Sequence, residues 1–500
     1  MKIKLRTTVL FLLVIPFIGI LFYAVLHIYF TIINKPVSPK YNLILISIDT
    51  LRPDHMGIYG YRNNTTPNID KWAKDAFVYT NAYTVVPQTF PSFATLFTGL
   101  HPFSTRIISS SLYNPSNPLS DNSLTLPKVL HENGYFTGAF LNNAIFDPLV
   151  SNFDKGFDTY KINEFRYCML SSEDKKNKDK DNECDRDNDE QVVKNSINWM
   201  AQNSNKKIFL WVHLLGSHYP YTPLLQNKCR FNQSLCGTIE KLTNDQIEKK
   251  RVSLEQCQPK GINQLDLEIM STLYDAKIYE SDNKVGILLT KIKELGLDKN
   301  SIIMIYGDHG EGFDHNYFFN HGNVLYDSAV KIPLIIKYPD IFLKKLVVDS
   351  NIDNTDIFRL LLNLLKIKSE DISKSHENST DVLKIKNSND YDNESKNKRI
   401  FLTNNEFSKF AIIDGKYKYI YSMSNSCLMN DQKEEFYDLY VDKNELNNLI
   451  SIKKETAAKL KLLLLTELSK YNLPLYEGSK SKERSKELYE IIDKIKSLGY

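Results

Sequence analysis

The sequence predicts an α/β fold with buried parallel strands, followed by a small antiparallel subdomain. Apolar, isoleucine-rich runs at residues 42–48 and 301–306 each lead directly into polar side chains. This arrangement is typical of open α/β sheets, in which ligands bind at the carboxyl ends of parallel strands. Nearer the carboxyl terminus, two β-rich runs surround Asp414 and Gly415, and an Asp-Gly pair in this setting indicates an antiparallel hairpin.

The overall composition fits one large folded body. Hydrophobic residues make up 42% of the 500-residue chain, which is enough for a substantial core, and the formal net charge is only +3. A protein that binds nucleic acid through its phosphates carries a concentrated positive charge. The composition therefore excludes nucleic acid as an expected partner.

The amino-terminal segment predicts a membrane anchor over residues 1–35. Basic residues at positions 2, 4 and 6 precede a largely apolar run at residues 8–33, which exceeds the roughly 20 helical residues that span a bilayer. The run is long for a signal peptide and lacks a small-residue cleavage site, so an uncleaved signal anchor is expected, with a cleaved signal peptide as the alternative. The basic flank predicts a cytoplasmic amino terminus and a periplasmic, extracellular or lumenal location for residues 36–500.

Thr89 is the candidate nucleophile. In the segment Thr89-Phe90-Pro91-Ser92 the proline suits the first turn of a helix, which predicts Thr89 at the helix N-cap. The amino end of a helix attracts anions such as phosphate or sulfate. A neutral hydroxyl attacks poorly, so Thr89 would need a metal ion to hold it as an alkoxide. The alternative interpretation is that Thr89 only caps the helix.

Candidate metal ligands follow the two predicted parallel strands. Asp49 comes directly after the first run, and Asp308 and His309 follow the second on a glycine-flanked turn. Paired oxygen and nitrogen donors suit borderline metals such as zinc or manganese. Two further histidines, His218 after a third apolar run and His321 after the Asp-His turn, are by themselves more typical of polar loop residues.

Changes in composition predict the domain boundaries. The catalytic domain is expected over residues 36–367, with an insertion at about 165–262 where polar stretches interrupt the core pattern. Residues 368–398 are rich in Ser, Asn, Lys and Asp, which is typical of a flexible linker. Residues 399–500 are expected to form an α+β subdomain that contains the hairpin and a helix over residues 453–468.

Five of the six cysteines lie between residues 168 and 257. In an exported protein, an even number of cysteines concentrated in polar segments indicates disulfides. We expect at least one disulfide in this region, and Cys229 and Cys236 are the nearest pair in sequence. Free cysteines remain the alternative.

The chain also carries an ordered series of short motifs. They are Ile48–His55, Thr66–Asp70, Asn81–Tyr83, Thr89–Gly99, His131–Tyr135, Gly156–Tyr160, His218–Tyr221, Tyr274–Ile278, Gly307–Glu311, Ile332–Ile336, Phe436–Tyr440 and Glu445–Leu449. In order and spacing these motifs resemble the sulfatase branch of the alkaline phosphatase superfamily over roughly residues 41–365 and in the terminal pair.

The resemblance implies an alkaline-phosphatase-like central sheet, mostly parallel, flanked by helices and carrying metal at its carboxyl edge. The implied ligands of a divalent cation, whether Zn, Mn, Ca or Mg, are Asp49, Thr89, Asp308 and His309. His218 and His321 would contact the transferred group or a second cation.

Three positions depart from the family pattern. Thr89 replaces the Cys or Ser that sulfatases oxidise to formylglycine, and threonine cannot be converted to that aldehyde. Phe93 replaces the motif arginine that steadies the aldehyde hydrate, and Thr50 replaces the second aspartate typical of calcium-dependent sulfatases. Superfamily members that pair a threonine with Asp-His ligands include phosphodiesterases and membrane-anchored phosphoethanolamine or glycerol phosphate transferases.

These departures favour a phosphoester substrate, either a phosphodiester or a phosphoethanolamine-type compound, and Thr89 as the nucleophile in hydrolysis or transfer. The alternative function is a sulfuric ester hydrolase that acts on sulfated glycans or lipids. A binding protein without activity is disfavoured, because all four implied ligands are present. The expected partners are a small-molecule, lipid or glycan ester and, through the amino-terminal helix, a membrane.

Overall fold

The computed structural model describes residues 41–109, 118–162, 188–255, 263–315, 317–339, 346–367, 398–423, 433–471 and residue 490. The predicted membrane anchor, and all but the last residue of the predicted linker, lie outside the described residues. Among the residues that are described, no helix combines the length and the apolar character needed to cross a membrane.

The strands are numbered along the chain. They are β1 (Asn42–Ile48), β2 (Phe77–Tyr79), β3 (Ala82–Tyr83), β4 (Phe136–Leu141), β5 (Thr159–Ile162), β6 (Ile208–Leu214), β7 (Ser301–Gly307), β8 (Phe313–Asp314), β9 (Tyr317–Phe318), β10 (Leu334–Lys337), β11 (Leu346–Val348), β12 (Ile352–Asp353), β13 (Ile400–Thr403), β14 (Lys409–Asp414), β15 (Tyr417–Ser422) and β16 (Glu434–Asp438).

The α-helices are numbered in the same way. They are α1 (Pro67–Trp72), α2 (Thr89–Thr98), α3 (Pro102–Thr105), α4 (Leu126–Glu132), α5 (Pro148–Ser151), α6 (Asp189–Asn203), α7 (Cys236–Ile239), α8 (Asn244–Glu255), α9 (Gln264–Glu294), α10 (Asp327–Val330), α11 (Asn354–Leu364) and α12 (Lys454–Ser469). Short 3-10 helices occupy Pro53–His55, Gly57–Tyr59, Ala73–Asp75, Ala144–Phe146, Leu225–Asn227, Gln233–Leu235 and Leu297–Lys299.

Eight of the described strands form one sheet in the order β11-β2-β10-β7-β1-β6-β4-β5. β1 lies in the middle and pairs in parallel with β6 and β7, whereas β10 is antiparallel to both of its neighbours. Every residue of β1, β6 and β7 is buried, which explains why these strands are continuous apolar runs rather than alternating patterns. The mostly parallel sheet predicted from the sequence is confirmed.

Helices cover both faces of this sheet. Successive side chains of a strand point to opposite faces, and those of β1 alternate between two cores. Leu43 and Leu45 pack in one core together with residues of α2, α4 and α11. Ile44 and Ile46 pack in the other core together with residues of α6 and α9.

The C-terminal strands β13, β14, β15 and β16 form a separate antiparallel sheet. The predicted hairpin is confirmed, since β14 and β15 pair directly and meet at Asp414 and Gly415. Gly415 has φ +59°, a left-handed conformation that glycine adopts at little cost. One face of this sheet packs on the main body and the other on α12, which closely matches the predicted helix.

Two core elements lie inside the range 165–262 that was predicted as an insertion. β6 pairs with β1 and β4 in the main sheet, and α6 contributes to the core behind it. A single insertion over that range is therefore wrong, because the apolar run Ile208–Leu214 forms a central strand.

A polar segment does remain at residues 225–255, with helices α7 and α8. It contains a disulfide between Cys229 and Cys236, which confirms the predicted disulfide. The other four cysteines lie outside the described residues.

Candidate active site

Asp49 lies at the carboxyl end of the central strand β1. Its side chain is fully buried, and its backbone N–H donates to the carbonyl of Leu214 at the end of β6 at 3.0 Å. Oδ2 accepts a hydrogen bond from Nδ2 of Asn143 at 3.0 Å. Oδ1 has no hydrogen-bond partner within the described ranges.

Asp308 and His309 follow directly after β7, next to Asp49. Asp308 Oδ1 accepts hydrogen bonds from the backbone N–H groups of Thr50 at 3.2 Å and His309 at 2.9 Å, while Oδ2 has no partner in the part of the chain that is described. His309 Nδ1 lies 2.9 Å from the carbonyl oxygen of Gly310. Because a carbonyl oxygen can only accept, Nδ1 carries the proton and Nε2 presents a lone pair to the site.

Helix α2 begins at Thr89, and Gln88 is its N-cap. The predicted N-cap position of Thr89 is therefore wrong by one residue. The reason is that Gln88 has an extended backbone, with φ −150° and ψ 147°, and its carbonyl accepts the first helical bond from Ser92 at 2.9 Å. Thr89 still lies at the amino end of the helix, and its Oγ1 is 3.2 Å from Nε2 of His309.

The four predicted ligand residues converge on one point. Nε2 of His309 lies 3.2 Å from Thr89 Oγ1, 3.6 Å from Asp49 Oδ1 and 3.6 Å from Asp308 Oδ2. Ligand atoms about 2.1 Å from a tetrahedral zinc ion lie roughly 3.4 Å from one another. The unpartnered carboxylate oxygens would be costly to bury alone, so the residues present fit a divalent cation.

The two carboxylates of this site have pKa values shifted in opposite directions. Burial, and then the charge of Asp49, raise the pKa of Asp308 well above its ordinary value. Burial also disfavours the charged form of Asp49, but the neighbouring histidines, His218 foremost, outweigh it and lower the pKa of Asp49. Burial holds the pKa of His309 well below its ordinary value, which keeps this imidazole neutral as a metal ligand must be.

His218 and His321 lie beside His309. The ring centroid of His321 is 4.2 Å from that of His309 and 5.3 Å from that of His218. His218 Nδ1 donates to the carbonyl of Tyr219 at 2.7 Å, and burial lowers the pKa of His218. The structure therefore brings all six predicted site residues into one cluster.

Glu311 orients His321. His321 Nδ1 lies 3.2 Å from Glu311 Oε1, and the hydroxyl of Tyr221 donates to Glu311 Oε2 at 2.7 Å. Glu311 is fully buried, so solvent does not compete for the hydrogen bonds of its carboxylate. Glu311 was not predicted as a site residue from the sequence, although it belongs to the glycine-rich Asp-His turn.

His213 is a second residue that the sequence analysis did not assign. It is the sixth residue of β6, is fully buried, and has Nε2 3.5 Å from Asp49 Oδ2. One ligand atom each from Asp49, His213 and Asp308 lie within 4.8 Å of one another, so these residues could hold a metal ion. The available signal was a single imidazole in the apolar run Ile-Phe-Leu-Trp-Val-His-Leu.

Phe93 occupies the helix position where the sulfatase motif has arginine. Its ring lies 4.7 Å from Trp211 and 5.3 Å from His213, measured between centroids, and the side chain is fully buried. This side of the site is therefore an aromatic wall, and Phe93 offers no charge to an anion.

Ser92 fixes the helix of Thr89 to the strand of Asp308. Its hydroxyl donates to the Asp308 carbonyl at 2.7 Å and lies 3.0 Å from the hydroxyl of Tyr306. Nδ2 of Asn354 donates to the Ser92 carbonyl at 3.1 Å. These contacts set the distance between the Thr89 hydroxyl and the cation ligands.

Arg251 of α8 connects the two loops that carry His218 and His321. Its guanidinium carbon lies 4.0 Å from the centroid of the Tyr219 ring, and Nη1 donates to the carbonyl of Phe319 at 3.1 Å. The polar segment after β6 thus reaches back to the active site.

Comparisons with known proteins agree with this arrangement. A family model described as sulfatase matches residues 41–367, and a model described as the C-terminal region of N-sulphoglucosamine sulphohydrolase matches residues 313–472. An ulvan-active sulfatase of Formosa agariphila is 25% identical over 359 residues, covering 68% of this chain and 64% of its own length. An arylsulfatase of Clostridium perfringens is 24% identical over 494 residues, covering 88% and 97%.

Solved structures share the fold. A complex with D-glucosamine-2-N,6-O-disulfate, described as the substrate of that protein, has a TM-score of 0.64 at 17% identity and covers 89% of this chain and 99% of its own. A phosphonate monoester hydrolase of Agrobacterium radiobacter has a TM-score of 0.60 at 17% identity, with 86% and 95% coverage.

Proposed function

Because the chain belongs to the sulfatase family, we propose that this hydrolase cleaves sulfate esters of glycans, with Thr89 as the attacking group. The observation that carries this proposal is the convergence of Thr89 Oγ1, Asp49 Oδ1 and Asp308 Oδ2 on His309 Nε2. Relatives named as an ulvan-active sulfatase and an endo-4-O-sulfatase support a sulfated glycan as the substrate.

Asp49, Thr89, Asp308 and His309 would hold a divalent cation. When bound, such a cation would supply positive charge beside the ester and lower the pKa of the threonine hydroxyl. The amino end of α2 adds a favourable potential for the anionic group. Both effects act at the place where Thr89 meets the substrate.

The first chemical step follows from the positions of Thr89 and His321. Thr89 first loses its hydroxyl proton to solvent, and Oγ1 then attacks sulfur. The bond from sulfur to the sugar oxygen breaks, and that oxygen takes a proton from His321. The hydrogen bond between His321 and Glu311 at 3.2 Å stabilises the protonated imidazole before transfer. The step leaves the sulfuryl group on Thr89.

The second step removes the sulfuryl group. Threonine has no geminal hydroxyl through which sulfate could be expelled, so water must attack sulfur and displace Oγ1. His218 is suited to accept the proton of this water, because burial lowers its pKa and keeps the ring neutral. Its Nδ1–H is used by the Tyr219 carbonyl, so Nε2 presents a lone pair. Sulfate leaves, and Oγ1 takes back a proton from solvent. The proton on His218 passes through solvent to His321 and restores the starting state.

Phosphoester cleavage is the second candidate function. It is the function that the sequence favoured, and a threonine next to Phe93 rather than arginine remains the specific observation for it. The curated relatives are named as sulfatases, and they support sulfate esters better. A shared fold with a phosphonate monoester hydrolase at 17% identity adds no argument about substrate.

Product analysis separates the two candidates. We would incubate the purified full-length chain with O-sulfated and N-sulfated oligosaccharides, an aryl sulfate, an aryl phosphate and an aryl phosphodiester, with Zn²⁺, Mn²⁺, Mg²⁺ or Ca²⁺. We expect sulfate release that is lost in Thr89→Ala. Phosphoester turnover that exceeds sulfate release and depends on Thr89 would replace the first candidate by the second.

We also propose that the catalytic domain lies outside the cytoplasm. The disulfide between Cys229 and Cys236 supports this location, because disulfides persist in oxidising compartments. When cells are opened in the presence of an alkylating reagent, Cys229 and Cys236 should be recovered as a disulfide. Recovery of both residues as alkylated thiols would contradict the proposal.

A further inference from the structure

His213 has an unusual environment for a buried histidine. It lies near the carboxyl end of β6, directly opposite Ser47 in the register with β1. Its ring centroid is 4.8 Å from that of Phe146 and 5.3 Å from that of Phe93. A buried imidazole between two aromatic rings needs partners for both nitrogen atoms.

Nδ1 of His213 has a partner, and that partner fixes the tautomer. Nδ1 lies 2.9 Å from Ser47 Oγ. The Ser47 hydroxyl donates its one proton to the carbonyl of Val212 at 3.2 Å, and it already accepts from Nε1 of Trp211 at 3.0 Å. Ser47 must therefore accept from His213 as well, so Nδ1 carries the proton and Nε2 carries a lone pair.

Nε2 of His213 has no hydrogen-bond partner among the described residues and is shielded from solvent. It points toward the carboxylate of Asp49, whose Oδ2 is 3.5 Å away and already accepts from Asn143. A lone pair that faces a carboxylate oxygen is repelled by it. A cation between the two groups would turn this repulsion into attraction.

We propose that His213 Nε2 is a further ligand of the cation held by Asp49 and Asp308, so that the cation binds two imidazoles, His213 and His309. One atom from each of Asp49, His213 and Asp308 lie within 4.8 Å of one another, so all three residues border the same small gap. This inference rests on the cation dependence proposed above.

The second imidazole selects the class of metal. Ca²⁺ and Mg²⁺ prefer oxygen ligands, whereas imidazole suits zinc and other borderline transition metals. Thr50 offers a neutral hydroxyl rather than a carboxylate next to Asp49, and His213 adds a nitrogen atom. The site therefore takes Zn²⁺ or Mn²⁺ in preference to Ca²⁺.

X-ray absorption spectroscopy of the zinc-loaded full-length protein counts the imidazoles directly. We expect two in the wild type, one in His213→Gln and two in the control His321→Gln. A single imidazole in the wild type, or two in His213→Gln, would overturn the proposal. Circular dichroism establishes that each variant is folded.

His213→Gln changes a core position, so a second variant keeps the test decisive if that protein does not fold. The double variant His218→Gln/His321→Gln removes the other nearby imidazoles and leaves β6 intact. Two imidazoles in this variant can only be His309 and His213, and one imidazole would exclude His213.

Calorimetric titration of the metal-free protein tests the preference among metals. We expect Zn²⁺ to bind at least tenfold more tightly than Ca²⁺, and tighter binding of Ca²⁺ would overturn the proposal. Neither measurement needs turnover. A two-imidazole site without sulfate release would refute the proposed function alone, and sulfate release from a one-imidazole site would refute the present inference alone.

Discussion

The hydroxyl of Thr89 lies 3.2 Å from Nε2 of His309, across a gap that separates residues of α2 and the end of β7. Nε2 carries a lone pair because Nδ1 donates to the Gly310 carbonyl, so the Thr89 hydroxyl donates in this pair. A cation bound to both atoms would displace this proton. In the proposed function, binding of the cation would therefore activate Thr89.

Replacement of Thr89 tests this link. We expect Thr89→Ala to lower kcat by at least about a thousandfold, because no other group at this position can attack. Thr89→Ser should retain part of the activity, since it keeps the hydroxyl at the helix terminus. Steady-state kinetics measures kcat of the two variants, and thermal unfolding shows whether each is folded. A Thr89→Ala protein with wild-type kcat would exclude Thr89 as nucleophile.

Phe93 is expected to behave as a core residue. Phe93→Arg should destabilise the protein by more than about 3 kcal/mol, because the guanidinium would be buried among aromatic rings without a partner. Phe93→Leu keeps the apolar contact and should cost less than about 1.5 kcal/mol. Urea unfolding compares the two, and equal stabilities would contradict the aromatic wall.

Arg251 is expected to position the two loops that carry His218 and His321. Arg251→Met removes the contacts with Tyr219 and Phe319, and we expect KM to rise about tenfold with a smaller change in kcat. Arg230→Met is a matched control, because Arg230 makes the same kind of contact with a different ring, 3.7 Å from that of Tyr279 in α9. An equal effect of both variants would indicate general destabilisation instead.

Asp282 of α9 should make stability depend on pH. Burial raises its pKa to about 6 from 3.8, although it accepts hydrogen bonds from the backbone N–H groups of Asn68 and Ile69. A raised pKa means that the folded protein holds the proton more tightly, so this contribution is complete below pH 3.8 and is lost as pH rises through about 6.

From pH 4 to pH 7, the wild type should therefore lose up to about 3 kcal/mol of its free energy of unfolding relative to Asp282→Asn. Asparagine does not titrate, so the comparison isolates this carboxyl group. Urea unfolding of both proteins across this range provides the measurement. A difference that stays constant with pH would contradict the assignment.

Much of the fold was predictable because the central strands are buried on both faces. Such strands require continuous apolar sequence, and Asp49 and Asp308 then stand out as the first polar residues after them. The C-terminal hairpin was predictable for a different reason, since the Asp414-Gly415 turn constrains the backbone locally.

The remaining parts of the site depend on tertiary register. His213 belongs to the site only because β6 pairs with β1 so that it lies opposite Ser47, and no local pattern encodes that pairing. The helix start at Thr89 differed by one residue because the backbone of Gln88, not the Pro91 signal, sets the first helical bond. The substrate class depends on groups around the anion, and composition does not reveal them.

The order of strands in the main sheet also governs when the site can form during biosynthesis. β1 is made early, yet its neighbour β7 follows much later, and the backbone N–H of Thr50 bonds to Asp308 across 258 positions of sequence. A ribosome must therefore translate beyond His309 before Asp49 can meet Asp308 and His309. Capture of the proposed cation would then be a late event for the nascent chain, and any product terminated ahead of that codon lacks Asp308 and His309.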